Sequence, residues 1–259
     1  MIEAEEYRKT TIPDKLIKFI SLTDLSEDND LKFKTLRDRS VWFSTIATLN
    51  DPYEFQCMFI DRKKLESLGY PAQVISWLEE LLDGLRKQFA LVSLSAKAPD
   101  CLPMWAYYSN NHRGFCVEYD VLKSDKLYAV SYEPKRIPIA SLMTNIFISI
   151  KEMIAAGQTS NADLEFLRTI FSFQFCMKHH SWQHEEEYRV LYPISNTNGI
   201  NVQESSIGLH ASRIIAGLNC SAEHKLKLNE ISNAIGCGNI SCSNISGTNY
   251  TLFEADING

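Results

Sequence analysis

The densest chemistry in this chain lies in the run Trp182-Gln-His-Glu-Glu-Glu-Tyr-Arg-Val-Leu-Tyr-Pro193. Its second half, Tyr188 to Tyr192, is aromatic and branched enough to form a strand. On a strand, residues two apart share a face. Glu185, Glu187 and Arg189 then line one side, while Glu186, Tyr188 and Val190 take the other. A Glu-x-Glu pair on one face divides labour. One carboxylate stabilises positive charge growing at a sugar carbon, and the other orients or deprotonates an incoming nucleophile. Arg189 beside them is expected to keep both carboxylates ionised. The plain alternative is a solvated charged face.

Other segments carry weaker chemistry. Met104-Trp-Ala-Tyr-Tyr108 is aromatic enough to stack on a planar ring, or to fill the core beside the next strand. The turn after it places His112 and Arg113 within reach of solvent. Ser44, Ser93 and Ser95 fall on strand patterns and have hydroxyls to offer a ligand. His180 and His184 would share a face only if a helix continued through them, and the strand-like residues that follow argue that it ends. Neither HExxH nor GxSxG is present, and no glycine-rich phosphate loop exists.

Strand patterns are expected at 15–20, 40–44, 90–95, 115–119, 187–193 and 212–219, with one or two more in the tail. Helical spacing covers about 29–38, 72–89 and 101–110, and Ser221 caps a helix running to about 236. Asp51, Pro52 and Glu54 fit the cap, first and third positions of another helix. Gly114 is the natural left-handed residue of the 110–114 turn. Two apolar helices, about 138–155 and 162–178, read as an insertion. Residues 1–259 together make one α+β domain, whose strands are too short and irregularly spaced for a doubly wound sheet.

Of the 259 residues, 45% are hydrophobic and 22% charged, so a sizeable core can form. The net charge of −6 argues against broad nonspecific nucleic-acid binding, though not against a local basic patch. Seven scattered cysteines without a CxxC pair are expected to be reduced thiols rather than zinc ligands. The polar N-terminus lacks an apolar signal core, and no run is long enough to span a membrane. A soluble cytoplasmic protein is the expectation.

Several pieces in order carry a resemblance: Lys18-Phe19; Trp42-Phe-Ser with Asn50-Asp-Pro-Tyr-Glu54; a strand ending in Ser95; Met104-Trp-Ala-Tyr-Tyr108 closing on Arg113 to Tyr119; and Lys178 followed by Trp182 to Arg189. Together they resemble the bacterial domain of unknown function 2971 family over roughly 15–250. The chain departs at Ile17, where that family usually has tyrosine. A more distant likeness is to ADP-ribosyltransferase-like proteins, some acting on DNA or RNA in toxin and phage-defence systems. That likeness implies a split, mostly antiparallel sheet around an NAD cleft, with NAD as substrate. It implies that Lys18 contacts NAD, Ser44 or Ser95 holds its ribose, and Trp105 or Tyr108 stacks on nicotinamide, with His112 and Arg189 in the same binding set. Glu187 is then catalytic, and Glu185 addresses an acceptor that is nucleic acid, protein or water. A restraining partner protein would suit a toxic activity. Two rivals stand beside it: a noncatalytic sensor whose Trp182–Arg189 run is a salt-bridge knot, and a nuclease holding Mg²⁺ on Glu54, Glu185 and Glu187.

Overall fold

The computed structural model describes residues 11–24, 26–138, 155–157, 174–195 and 198–257. Alternation of side chains between two buried faces sets the sheet. In β1 (Lys15–Ile20), β5 (Phe115–Val121) and β12 (Leu209–Ala216), side chains go in turn to two apolar clusters. Leu16, Phe115, Val117 and Ile214 join one cluster; Ile17, Cys116 and Ile215 join the other. The first is covered by α1 (Ser26–Arg37), through Phe33 and Leu36, and by α5 (Ala222–Ala234), through Leu228 and Ile231. The second is covered by Trp105 of α4 (Leu102–Tyr108). Helices therefore lie on both faces, and the strands are buried from both sides.

Between these elements run β2 (Ser40–Thr45), β3 (Met58–Phe59), α2 (Arg62–Ser67), α3 (Ala72–Arg86) and β4 (Phe89–Ser95). After β5 come β6 (Leu127–Ala129), β7 (Ser131–Glu133), β8 (Ile137–Pro138), β9 (Met177–His179), β10 (Glu187–Pro193) and β11 (Ile200–Gln203). The chain closes with β13 (Ser241–Ile245) and β14 (Leu252–Asp256). The main sheet has the order β11-β2-β4-β1-β5-β12-β13-β14, with β10 joining β4 to β6. Its pairs are antiparallel except β12–β13.

The sheet forks at β4. One edge of β4 pairs with β10 throughout, from Glu187 opposite Ser95 to Pro193 opposite Phe89. Its other edge meets two strands: β2 at Ala90 and Leu91, and β1 only at Ser95. β1 and β2 thus leave β4 at opposite ends, and a gap opens between them. This is the split, mostly antiparallel α+β sheet that the sequence resemblance implies.

Several local expectations are corrected. Asp51 begins a turn rather than a helix: its Oδ1 accepts the Tyr53 amide at 2.9 Å, and Phe55 follows with φ of 56°. In the 110–114 turn the left-handed residues are Asn110, Asn111 and His112. Gly114 is required for another reason, since a Cβ there would sit 2.0 Å from the Ile20 carbonyl oxygen. The helices expected over 138–155 and 162–178 lie largely outside the described residues. Within the described part, 174–176 is a 3₁₀ turn and 177–179 is strand. The strand expected at 212–219 sits earlier, at Leu209–Ala216. Ser221 does cap its helix, accepting the His224 amide at 3.1 Å. None of the seven cysteines is in a disulfide.

Candidate active site

A cleft of about 370 Å³ occupies the fork. β1 contributes Lys18 and Phe19, β2 contributes Ser44, β4 contributes Ser93 and Ser95, and α4 contributes Met104, Tyr107 and Tyr108. Ser93 and Ser95 share a face because they lie two apart on β4. At one end the lining is charged: Glu54, Lys178, Glu185 and Glu187.

The charged end is built from three elements. β10 projects Glu187 and Arg189 to one side, and β9 brings Lys178. Glu185 closes a 3₁₀ turn (His180–Glu185) rather than lying on the strand, and Glu186 after it is left-handed with φ of 42°. That kink keeps Glu185 beside Glu187 while Glu186 turns out to Lys97, 2.6 Å away. The Ser95 hydroxyl ties the turn to β4 by donating to the Glu185 carbonyl at 2.6 Å.

Lys178 Nζ lies 2.7 Å from Glu185, 2.9 Å from Glu187 and 3.2 Å from Glu54. Arg189 donates through Nε to Glu187 Oε1 and through NH2 to Glu54 Oε1, both at 2.7 Å, and through NH1 to the Phe175 carbonyl at 2.6 Å. Tyr108 donates its hydroxyl to Glu185 Oε1. Exposure across the five charged residues runs from 0% at Arg189 to 7% at Lys178. Glu54 Oε2 is buried with no hydrogen-bond partner among the described residues.

These surroundings drive the two catalytic candidates apart. Burial alone would raise Glu187, but Arg189 and Lys178 outweigh it and hold the carboxyl down near about 2. Burial dominates at Glu185 and raises it, with Lys178 opposing and Glu187 adding to the rise. Arg189 bonds Glu187 and Glu54 but not Glu185, so of the two candidates it directly stabilises only the charge on Glu187. Lys18 is half-buried, with no hydrogen bond or ion pair among the described residues. Burial lowers its ammonium to about 8, while Glu187 pulls it back up.

Of the residues singled out from the sequence, Lys18, Ser44, Ser95, Tyr108, Glu185 and Glu187 meet around this cleft. Trp105, His112 and Arg189 do not line it. Trp105 is fully buried behind Phe19, edge to face at 5.1 Å, with its indole N–H bonded to the Pro99 carbonyl. His112 stacks on the far side of Trp105 at 6.0 Å. Arg189 acts from behind, through the carboxylates it holds. Sequence reasoning gave Lys178 no role and Glu54 only a metal-binding one. Their signal was present as the lysine ahead of Trp182 and as the last residue of Asn-Asp-Pro-Tyr-Glu.

Among the described residues, no helix is long and apolar enough to cross a membrane. Comparison with curated proteins and with solved structures found no match. Residues 104–190 match the family described as Protein of unknown function (DUF2971). The matched stretch supplies Tyr108, Lys178, Glu185, Glu187 and Arg189, and it overlaps the later motifs on which the resemblance rests.

Proposed function

We propose that the chain is an ADP-ribosyltransferase-type enzyme that breaks the nicotinamide–ribose bond of NAD. It passes ADP-ribose to a macromolecule, nucleic acid or protein, or to water, in the role of a cytoplasmic toxin or anti-phage effector. The observation that carries this reading is the pair Glu185 and Glu187 at the charged end of an open cleft, held in opposite protonation tendencies. Opposed tendencies mark an acid–base division of labour.

In this reading the C1′–N bond breaks with both electrons going to nicotinamide, which leaves neutral. Positive charge grows on the ribose carbon, where the fixed carboxylate of Glu187 offsets it. The acceptor O–H or N–H adds to C1′ from the open side, and its proton passes to Glu185, whose raised affinity suits it to receive one. Tyr108 and Lys178 aim Glu185, and Arg189 keeps Glu187 charged. A nuclease arrangement around Glu54, Glu185 and Glu187 is less well supported, because the Lys178 ammonium already sits among the three carboxylates that Mg²⁺ would need.

The same burial supports one rival, a noncatalytic binding domain in which the five charges are a structural knot. The two separate by incubating the protein with labelled NAD and cell lysate, then tracing label into protein, DNA, RNA and free ADP-ribose. The enzymatic reading expects transfer or release that Glu185→Gln abolishes. NAD neither cleaved nor bound, by calorimetry, would overturn it; NAD bound but never cleaved would favour the knot.

A further inference from the structure

The cleft does not end at the fork. A second lobe of about 410 Å³ opens on the α1 side of the sheet, and Lys18, Phe19, Ser21, Ser44 and Tyr108 border both lobes. The two lobes differ in character. The first ends in carboxylates. The second is walled by Leu31 and Leu36 of α1 and by Val41 and Trp42 of β2, with Lys32 at its side.

Trp42 is set up as a platform. Its strand neighbour is Asn201 of β11, and Gly199 lies against its ring. A Cβ at 199 would fall 2.3 Å from the indole Cζ2. Only glycine lets the backbone lie so close to the ring, and the indole remains 44% exposed. An exposed aromatic ring beside aliphatic side chains is the environment in which a flat heterocycle stacks.

The polar groups between the lobes have spare capacity. The Lys18 amine and the Ser44 hydroxyl make no hydrogen bond or ion pair among the described residues. Lys32 donates to the Ser21 carbonyl at 2.9 Å and reaches the Ser21 hydroxyl at 3.5 Å, which leaves one of its three N–H groups. An ammonium and a hydroxyl at a waist between an acidic lobe and an aromatic lobe, with the Lys32 ammonium on the aromatic side, suit a phosphate chain.

We infer that the lobe beneath α1 is a nucleotide subsite, which seats a purine base on Trp42 and its phosphates on Lys18, Lys32 and Ser44. This rests on the NAD reading of the first lobe and gives that ligand its direction. The ribose that is cleaved lies at Glu185, the diphosphate crosses the fork, and the adenosine end lies under α1. The leaving nicotinamide then exits on the α4 side, and the acceptor approaches from there as well.

The test is calorimetric titration with ADP, with nicotinamide mononucleotide and with inorganic pyrophosphate, alongside NAD turnover. Loss of a base-stacking ring costs roughly tenfold or more in affinity. Trp42→Ala is therefore expected to weaken ADP binding by that factor and raise the KM for NAD. Trp42→Phe should restore most of both, and Trp77→Ala, which removes an exposed tryptophan on α3, should change neither. Pyrophosphate binding should depend on Lys18→Ala and not on Trp42. If NAD is cleaved but ADP neither binds nor competes, and Trp42→Ala leaves the KM unchanged, the nucleotide subsite is wrong while the NAD reading stands. If ADP binds in a Trp42-dependent way but NAD is never cleaved, the subsite stands and the NAD reading falls.

Discussion

Glu118 on β5 and Glu187 on β10 belong to the same sheet and are nearly equally hidden, 6% and 4% exposed. Both are drawn downward in pKa by paired cations against the upward pull of burial. Their partners differ. Glu118 is met by Lys15 at 2.5 Å and Arg213 at 2.8 Å, whose side chains are 58% and 37% exposed. Arg213 also bonds Glu254 at 2.6 Å. These cations keep their heads near water and lay their stems along the sheet. Glu187 is met by Lys178 and Arg189, whose side chains are 4% and 1% exposed. Around Glu187 both signs have been taken out of water, one Glu54 oxygen has no partner among the described residues, and Glu185 is raised by burial.

A buried acid served by exposed cations is a low-cost way to close a sheet face. A fully buried network costs desolvation on every member, and its Coulombic return depends on near-perfect geometry. A fold needing only stability would do as well with apolar side chains there. That the expensive arrangement stands at an open cleft, and the cheap one on strands away from it, is the physical reason for placing function at the first.

The comparison breaks most sharply at Arg189. Arg189→Met should cost about 3–5 kcal/mol, because it leaves Glu54 and Glu187 buried with only Lys178 to balance them. Urea denaturation measures this, and a loss below about 1 kcal/mol would mean that water reaches the cluster after all. Glu187→Gln belongs to the same class, since it takes a carboxylate from two buried cations and leaves Arg189 with Glu54 alone. It therefore tests folding before it tests catalysis.

Acid titration sharpens the contrast within the cluster. The folded pKa of Glu187 is held down to about 2, below the ordinary glutamate value of 4.5. Between those values the unfolded chain binds more protons. The stability from this group is full above about 4.5 and is lost as pH falls toward 2. Glu185 is shifted upward, so the folded chain binds the extra proton and stability from that group declines as pH rises above 4.5. Denaturation of the wild type and of Glu185→Gln at stepped pH separates the two: the variant should lose the decline and keep the acid-side loss. Parallel curves would show that folding does not shift the Glu185 carboxyl.

Much of the scaffold was legible in the sequence, because the strands around the fork announce themselves as short runs rich in aliphatic and aromatic residues. β10 appears at 187–193, where aromatic and branched residues alternate, and Ser93 and Ser95 fall on one face as their spacing demands. The assembly of the charged end was not legible. Glu54 reaches Arg189 across 135 positions, and no local pattern encodes that meeting. The Asp51–Glu54 segment satisfies the rules for a helix start, but tertiary contacts override them. Phe55 is fully buried with Phe175 and Leu91 in a left-handed conformation, and this turns Glu54 inward. Aromatic density at 104–108 was equally silent about facing. One short helix sends Trp105 into the core, Tyr108 into the cleft and Tyr107 to the exposed rim of that cleft.

Glu185→Gln carries a smaller stability effect and a decisive functional one. Lys178 keeps Glu54 and Glu187 when that charge is removed, and the amide can still accept from Tyr108. The expected stability change is about 1 kcal/mol. A missing general base costs roughly 10²–10⁴ in turnover. Full NAD turnover in a well-folded variant would remove Glu185 from the mechanism.

The smallest effect is expected at the other glutamate. Arg213→Met removes a cation that bonds Glu118 and Glu254 but is itself more than a third exposed. Lys15 remains on Glu118, and water reaches the vacated oxygen, so no charge is stranded. Exposed pairs of this kind contribute roughly 0.2–1 kcal/mol, and salt screens them. The variant should therefore lose less than about 1 kcal/mol in dilute buffer and less again in 1 M salt, whereas the loss at Arg189 should barely respond to salt. A salt-insensitive loss of several kcal/mol at Arg213 would show that β5 hides a second sealed network, and burial of charge would then no longer single out the cleft.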